Sequence, residues 1–467
     1  MKKVYLLILL FFIANESFGQ ANLLNAKNPS EIGDSSESKA VSEFVDYEYV
    51  DDKDILWSKV VYEFIDLNER LNFPLLFPVN DTKYDDTRKS LWRVIRESIE
   101  NGKISDTTRI DKILPTLKFL NKQKAKIIIL SHVGRPKGKA LKELSLKPIC
   151  ENLEEQLGLN VKLITQNINE IKNKDFFDNF DEEILMLENI RFYAEEEKND
   201  NKFAEHLASF GDIYVNDAFS CSHRSHASIV EISKFLPSFS GLQIDLEIDA
   251  LTKITSEITK PISCIIGGSK ISTKIDIIKN LIPKFDNIII VGAMANNFIE
   301  YFGYNIGKSI KEKNCDKIIE EIISLSKKEK CEISFPEDVL VSKDLNGSHK
   351  KRNLNEILND EMILDIGPKT IDKITNIINS SKTILWNGPA GYFENPNFAN
   401  GSIEIAKTII KNNKLNKIFS VVGGGDTVSL LNSIKAVDDF NFVSTAGGAF
   451  LEYLEGKKLP GITALNQ

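Results

Sequence analysis

From residue 104 onward, short β-branched runs alternate with helix-like segments: "AKIIILSH", "EEILMLENIRF", "DIYVNDAF", "ISCIIGG", "NIIIVGAM", "KTILWNGP", "IFSVVGGG" and "FNFVSTAGG". This alternation constrains the fold more than any other feature of the chain. Strands that are apolar almost throughout need cover on both faces, which a parallel sheet between layers of helices provides. The roughly 365 residues after residue 102 exceed one such unit, so the sequence predicts an α/β architecture with two lobes. Ligands in such folds sit beyond the C-terminal ends of the strands. At that point the quoted runs end in Gly, Asn, His or Arg.

Arginine usage gives those strand ends their first chemical meaning. The chain has 59 Lys+Arg, of which 9 are Arg, and only Arg109, Arg135, Arg191, Arg224 and Arg352 follow residue 102. Three of them come directly after a predicted strand, in "SHVGRP", "ENIRF" and "DAFSCSHRSH". Arg109 lies in "SDTTRI", just ahead of a predicted helix. His132, His223 and His226 keep them company. A guanidinium offers a planar fork for phosphate or carboxylate that Lys cannot replicate. One such Arg would be an ordinary surface ion pair. Four at strand or helix ends, in a chain that otherwise uses Lys, point to a small polyanionic ligand.

The second half places glycines at the same positions. In "IIGGSKISTK" a helix is predicted to begin after Gly267-Gly268, with Lys270 and Lys274 one turn apart. Glycines let backbone N–H groups approach phosphate at a helix start, and the lysines add charge. Alone, the lysine pair reads as a solvated face, and the spacing is not that of a Walker A loop. "VVGGGDTVSLL" repeats the logic, with Asp426-Thr427 at a helix start; Asp426 caps that helix or holds Mg²⁺ through nucleotide phosphates. "LWNGPAGYFE" offers a turn with Glu394 available to a ribose hydroxyl, and "STAGGAF" a further backbone nest. Together they predict a nucleotide site in this lobe, facing an Arg/His lobe as in a two-lobe phosphotransferase. A net charge of −8 argues against nucleic acid as a partner. Five cysteines without a CxxC fit reduced thiols.

The first hundred residues read differently. Residues 1–19 have the layout of a secretory signal, with Lys2-Lys3, the apolar run Val4–Ala14 and Ser17-Phe18-Gly19. That run is too short to span a bilayer, so no stable membrane anchor is expected. Residues 20–54 read as an acidic linker. A helix-like pattern from Trp57 follows, and "TRKSLWRVIRESIENG" fits a second short helix. Residues 55–102 resemble the gliding-motility/type IX secretion component N family, through "ILWSKVVYEFIDLNERLNFPLLFP" and "TRKSLWRVIRESIENGKI".

From about 103 to 467 the motifs "SHVGRP", "LENIRF", "VNDAFSCSHRSHAS", "IIGGSKISTKI", "WNGPAGYFE", "VVGGGDT" and "STAGGAFLEYLEGKKLPGI" resemble the phosphoglycerate kinase family. The resemblance implies two Rossmann-like lobes with parallel sheets joined by a hinge, behind an unrelated N-terminal segment. The lobes would be 103–240 for phosphoglycerate, completed by 451–467, and 241–450 for the nucleotide. The implied reaction is phosphoryl transfer between 1,3-bisphosphoglycerate and ADP, giving 3-phosphoglycerate and ATP with Mg²⁺. Arg109, His132, Val133, Gly134, Arg135, Arg191 and Arg224 would hold the phosphoglycerate. Lys274, Arg109 and the backbone of Gly447 and Gly448 would serve catalysis. Gly268, Lys270, Lys274, Gly292, Asn387, Pro389, Gly391, Glu394, Gly424, Gly425, Asp426 and Thr427 would line the nucleotide site, with Asp426 organising the metal through the phosphates. A monomer working in the cytoplasm is implied, in conflict with the leader. The alternative is an exported, non-catalytic secretion or gliding component, or a mis-joined chimeric gene product.

One departure stands out. The family opens with a strand reading Arg-Val-Asp-x-Asn-x-Pro, whereas this chain has "RVIRESI" (93–99). With no Asp, Asn or Pro in position, the opening strand is expected to be missing and catalysis impaired.

Overall fold

The computed structural model describes residues 89–93, 99–100, 103–104 and 107–466. The expected leader 1–19, the linker 20–54 and most of 55–102 lie outside the described residues. The described chain forms two compact units, one taking in residues up to Asp245 and from Pro460 on, the other Leu246–Leu459. The passage between them falls within the helix Leu242–Thr255.

Six described strands build the main sheet of the first unit: β1 (Lys89–Arg93), β2 (Lys126–Leu130), β3 (Val161–Ile164), β4 (Ile184–Leu187), β5 (Ile213–Asn216) and β6 (Ser238–Ser240). They form one parallel sheet in the order β3-β4-β2-β1-β5-β6. Successive residues of a strand point to opposite faces, and β2 shows the consequence. Ile127 and Ile129 pack with Ile113, Leu117, Ile149 and Leu153 in one core, while Ile128 and Leu130 join Phe177, Leu185, Leu187 and Phe210 in another. The apolar runs of the sequence are therefore strands buried on both sides, as their pattern required. From the far end of the chain, Gly461 N–H donates to the Ser222 carbonyl (2.8 Å) and Leu465 packs on the second of these cores.

The opening strand is not missing. Lys89–Arg93 lies at the centre of the sheet, with Arg93 opposite Leu130 of β2 on one side and Asn216 of β5 on the other. "TRKSLWRVIRESIENG" is accordingly not a helix: β1 occupies its start, and Ile99–Glu100 pairs antiparallel with Lys103–Ile104. A short apolar run is ambiguous by periodicity alone. The tie is broken by β2 and β5, whose facing backbone groups would lack partners without a strand between them.

The second unit repeats the plan. Strands β7 (Ile262–Ile266), β8 (Asn287–Ile290), β9 (Glu332–Ser334), β10 (Thr383–Asn387), β11 (Phe419–Gly423) and β12 (Phe442–Ser444) form a parallel sheet ordered β9-β8-β7-β10-β11-β12. Ile265, Ile289, Ile384, Trp386 and Val422 share one core with Ile374, Ile378, Ile405 and Ile409 of the helices Pro368–Ser380 and Asn400–Lys414. Asp338–Ser342, Lys350–Asn353 and Met362–Ile366 form a small antiparallel sheet beside it. No described helix is long and apolar enough to cross a membrane.

Candidate active site

In the first unit the candidate residues gather beyond the C-terminal ends of β2, β4 and β5. The loop Ser131–Pro136 leaves β2 with His132 and Val133 buried and the Arg135 side chain exposed. Asn189, at the end of β4, ties this loop to its own: its side-chain N–H groups donate to Val133 O (2.8 Å) and Leu144 O (3.0 Å), and its Oδ1 accepts from Arg191 N–H (3.1 Å). Arg191 is 1% exposed. Its guanidinium donates to Gly134 O (2.9 Å) and lies 3.4 Å from Glu197. A buried guanidinium needs such partners to offset lost hydration.

Beyond β5, Arg224 Nε donates to His223 Nε2 (3.2 Å). Burial first, then the Arg224 charge, with His226 and Arg191 adding to it, push the His223 imidazolium down to about 4. Several positive groups thus crowd one place, which is what a polyanion site looks like electrostatically. Nearby His226 is held 3.6 Å from Glu196, a fully buried carboxylate that accepts from the N–H (3.0 Å) and hydroxyl (2.8 Å) of Ser228. Arg109 is half-buried in the first turn of the helix Thr108–Lys122. That helix is tied to the end of β5 by Thr116, whose hydroxyl donates to buried Asp217 (2.7 Å). Asp217 also accepts from Ile244 N–H (3.0 Å), and burial pushes its carboxyl up to about 7.

Asn189, Asp217 and Glu196 were not singled out from sequence, although each was quoted in a motif or lies beside one. For Asn189 and Asp217 the signal available was a polar residue just after an apolar strand; Glu196, in the short helix Ala194–Glu197, carried no such signal.

In the second unit the glycines act by close approach. A Cβ on Gly267 would sit 2.5 Å from Pro389 O, and one on Gly388 2.4 Å from Gly267 O, so the ends of β7 and β10 touch only because both lack one. Gly292, at the end of β8, joins the same knot through Gly268 and the Pro389 carbonyl. Lys274 Nζ donates to Asn387 Oδ1 and, at 3.4 Å, to Asn387 O. Burial pushes Lys274 down to about 8, against the opposing pull of Cys264 and Asp426. Asn387 Nδ2 donates to Gly423 O (2.7 Å), and Gly388 N–H to Thr427 Oγ1 (2.8 Å), which brings in the end of β11. Gly424 has φ 98°, a left-handed conformation that favours glycine.

Two expectations need correction. The helix after Gly268 begins only at Ile275, so Lys274 sits at its N-cap position and Lys270 in the exposed turn before it. The helix Gly425–Ser433 has Gly424 at its cap and no side-chain capping bond, so Asp426 is an exposed first-turn carboxylate rather than the cap. The remaining residues are spread more widely. Gly391 is needed for packing, since a Cβ there would meet Asp365 Oδ1 at 2.5 Å. Glu394 is exposed on the loop that follows. Gly447, φ 57°, precedes the helix Gly448–Leu454 beyond β12.

Glycine-lined strand ends around a half-buried lysine, on a chain that also carries an Arg/His cluster at strand ends, define the class as a phosphotransferase. The phosphoglycerate kinase family model matches residues 89–457, and the model for Gliding motility associated protein GldN matches 50–125. The chain is 45% identical over 371 residues to phosphoglycerate kinase of Wolbachia sp. subsp. Brugia malayi, covering 79% of this chain and 92% of that one. It is 42% identical over 369 residues to that of Methylorubrum extorquens, with 79% and 92% covered. The solved phosphoglycerate kinase of Coxiella burnetii superposes with a TM-score of 0.74 at 34% identity, covering 82% of this chain and 96% of that one. That of Pyrococcus horikoshii gives 0.69 at 27%, with 82% and 97% covered. The chain belongs to the phosphoglycerate kinase family. The match begins at β1, fourteen residues before the expected boundary at 103, and it overlaps the other family's match over 89–125.

Proposed function

We propose that the chain catalyses reversible phosphoryl transfer between 1,3-bisphosphoglycerate and ADP, giving 3-phosphoglycerate and ATP, with Mg²⁺. The observation that carries this is the knot of β7, β8, β10 and β11 around Lys274, in a chain whose family membership is established over 79% of its length. Lys274 is a half-buried ammonium held, among the described residues, by amide oxygens and pushed down in pKa, so the site suits an anion that would restore its charge. The exposed Asp426 carboxylate fits a metal held through nucleotide phosphates. Mg²⁺, when bound, offsets the negative charge of those phosphates.

Within this reading Lys274, aided by Lys270, neutralises phosphate charge. Gly268, Gly292, Asn387, Pro389, Gly391, Gly424, Gly425 and Thr427 line the pocket, and Glu394 meets ribose. Arg191, Arg224, Arg109, Arg135 and His132 hold the phosphoglycerate with the Val133-Gly134 backbone. The N–H groups of Gly447 and Gly448 face the moving phosphoryl group. Such chemistry needs positioning and charge neutralisation more than covalent catalysis. One chain carries both sets of groups, so it works as a monomer, in the cytoplasm where nucleotide is plentiful, and without nucleic acid. MgADP calorimetry and a coupled assay test the proposal: saturable binding and turnover support it, and absence of both sinks it.

A second reading has its own observation, the GldN match over 50–125. On it the first hundred residues belong to an exported gliding component joined to the kinase by fusion or by a mis-joined gene. A single genomic read spanning codons 50–125 in an independent isolate decides: a seamless junction rules out the mis-joined gene.

A further inference from the structure

One carboxylate reaches the lysine turn from forty residues along the chain. Glu312 accepts two hydrogen bonds from a single residue, Ser272: one from its backbone N–H (3.0 Å) and one from its hydroxyl. Ser272 lies between Lys270 and Lys274. The turn is closed locally by Lys274 N–H onto Ile271 O (2.9 Å) and by the Thr273 hydroxyl onto Lys270 O (2.9 Å). Those bonds shape the turn, and among the described residues Glu312 alone fastens Ser272 to another part of the unit.

Glu312 is itself held from below. Asn297 donates to Glu312 O (2.7 Å) and accepts from Glu312 N–H (3.3 Å), while Asn296 donates to Ile310 O (2.8 Å). Both asparagines are buried in the helix Met294–Tyr301, and Met294 N–H at its start donates to Gly268 O (2.8 Å). Hydrogen bonds link Gly268, the helix, Asn297, Glu312 and Ser272 in turn, and two residues further along the turn Lys274 meets Asn387. Buried amides are costly unless satisfied, and these two spend their donors on the Ile310–Glu312 backbone. The bonds from Ser272, with a smaller contribution from the Lys270 charge, hold the Glu312 carboxyl below the usual carboxylate range, so it is ionised at neutral pH.

We propose that Glu312 is a positioning residue for the nucleotide site, fixing Ser272 so that the turn presents Lys270 and Lys274 in a set conformation before nucleotide arrives. An ionised acceptor taking both the N–H and the O–H of one residue fixes its backbone and its rotamer together. A turn ordered in advance spares the ligand that ordering cost. This inference rests on the nucleotide reading of the Lys274 site.

The test uses the full chain and the variants Glu312→Ala, Glu312→Gln and Ser272→Ala, with MgADP calorimetry, the KM for each substrate and the thermal midpoint. Glu321→Ala, which breaks only the exposed Lys279 pair, serves as comparator. Glu312→Ala is expected to weaken MgADP binding and raise the nucleotide KM about tenfold, the scale of one charge-assisted hydrogen bond, with the 3-phosphoglycerate KM unchanged. Glu312→Gln keeps an acceptor oxygen and stays within about threefold of wild type. Ser272→Ala falls between them, and Glu321→Ala matches wild type. Unchanged MgADP binding in both Glu312→Ala and Ser272→Ala overturns the proposal, as does an equal loss for both substrates that tracks a lowered midpoint. If wild type itself fails to bind MgADP, the nucleotide reading falls and this inference with it.

Discussion

The two units gather polar groups at strand ends in different ways. In Leu246–Leu459 the path of the backbone does most of it: Gly267, Gly268, Gly292 and Gly388 let β7, β8 and β10 meet, and a side chain at several of these positions would clash with main chain. In the first unit side chains do it, with Asn189, Glu196 and Asp217 acting as struts for Arg191, His226 and the Arg109 helix. A site made by backbone is hard to remove without disturbing the sheet. A site made by side chains can lose a member while the fold stands. The "RVIRESI" segment is the case in point. The expected Asp and Asn positions hold Ile95 and Glu97, which follow β1 in the chain, and β1 itself, Lys89–Arg93, keeps its ladder on both sides. Parallel pairing depends on N–H and C=O groups that every non-proline residue carries. The opening motif differs from the family's, and β1 nonetheless holds the centre of the sheet.

The comparison breaks most visibly at Lys274. Lys274→Ala should lower turnover about a hundred- to a thousandfold, the scale for removing one preorganised donor from a transition state; a coupled assay measures it, and a loss under about tenfold means that the site is misplaced. In the other unit Arg224→Lys retains charge but loses the fork, so the KM for 3-phosphoglycerate should rise about tenfold while that for nucleotide holds. Steady-state kinetics with each substrate varied separate the two units. If both constants move together, side-chain and backbone sites are not independent.

The smallest effect concerns protons. Lys274 is pushed down to about 8 without nucleotide, and phosphate beside it would raise that value toward the ordinary 10.5. Above about pH 8 the free enzyme is largely neutral at Lys274 and the complex protonated, so MgADP binding takes up close to one proton near pH 9 and almost none near pH 6.5. Calorimetry in buffers of different ionisation heat reads this directly. Proton release at pH 9 would contradict it.

Much of this is legible in the sequence. The apolar runs gave the strands because strands buried on both faces leave no polar alternation, and Lys274, Asn387 and Gly292 do meet. Three features were not legible, each for a physical reason. The strand Lys89–Arg93 shares its short apolar pattern with a helix, and only its neighbours' unpaired backbone decides between them. The delayed start of the helix at Ile275 follows from the turn that Ser272 and Thr273 stabilise, a local competition that periodicity cannot see. Asn189 reaches Leu144 across 45 residues and Asp217 reaches Thr116 across 101, and no spacing in the sequence records which carbonyl or hydroxyl a buried polar side chain will meet.

The chain belongs to the phosphoglycerate kinase family, and the central proposal is that its nucleotide site works while substrate binding is weakened by Ile95 and Glu97, which stand where the family motif has Asp and Asn. A coupled assay on the full chain beside Ile95→Asp/Glu97→Asn tests it most directly. The account predicts measurable turnover in wild type, an increase of about a hundredfold in kcat/KM for the phosphoglycerate substrate on restoring both residues, the scale of two hydrogen bonds to a charged group, and an unchanged MgADP Kd. A wild type with no turnover that restoration fails to rescue would contradict it.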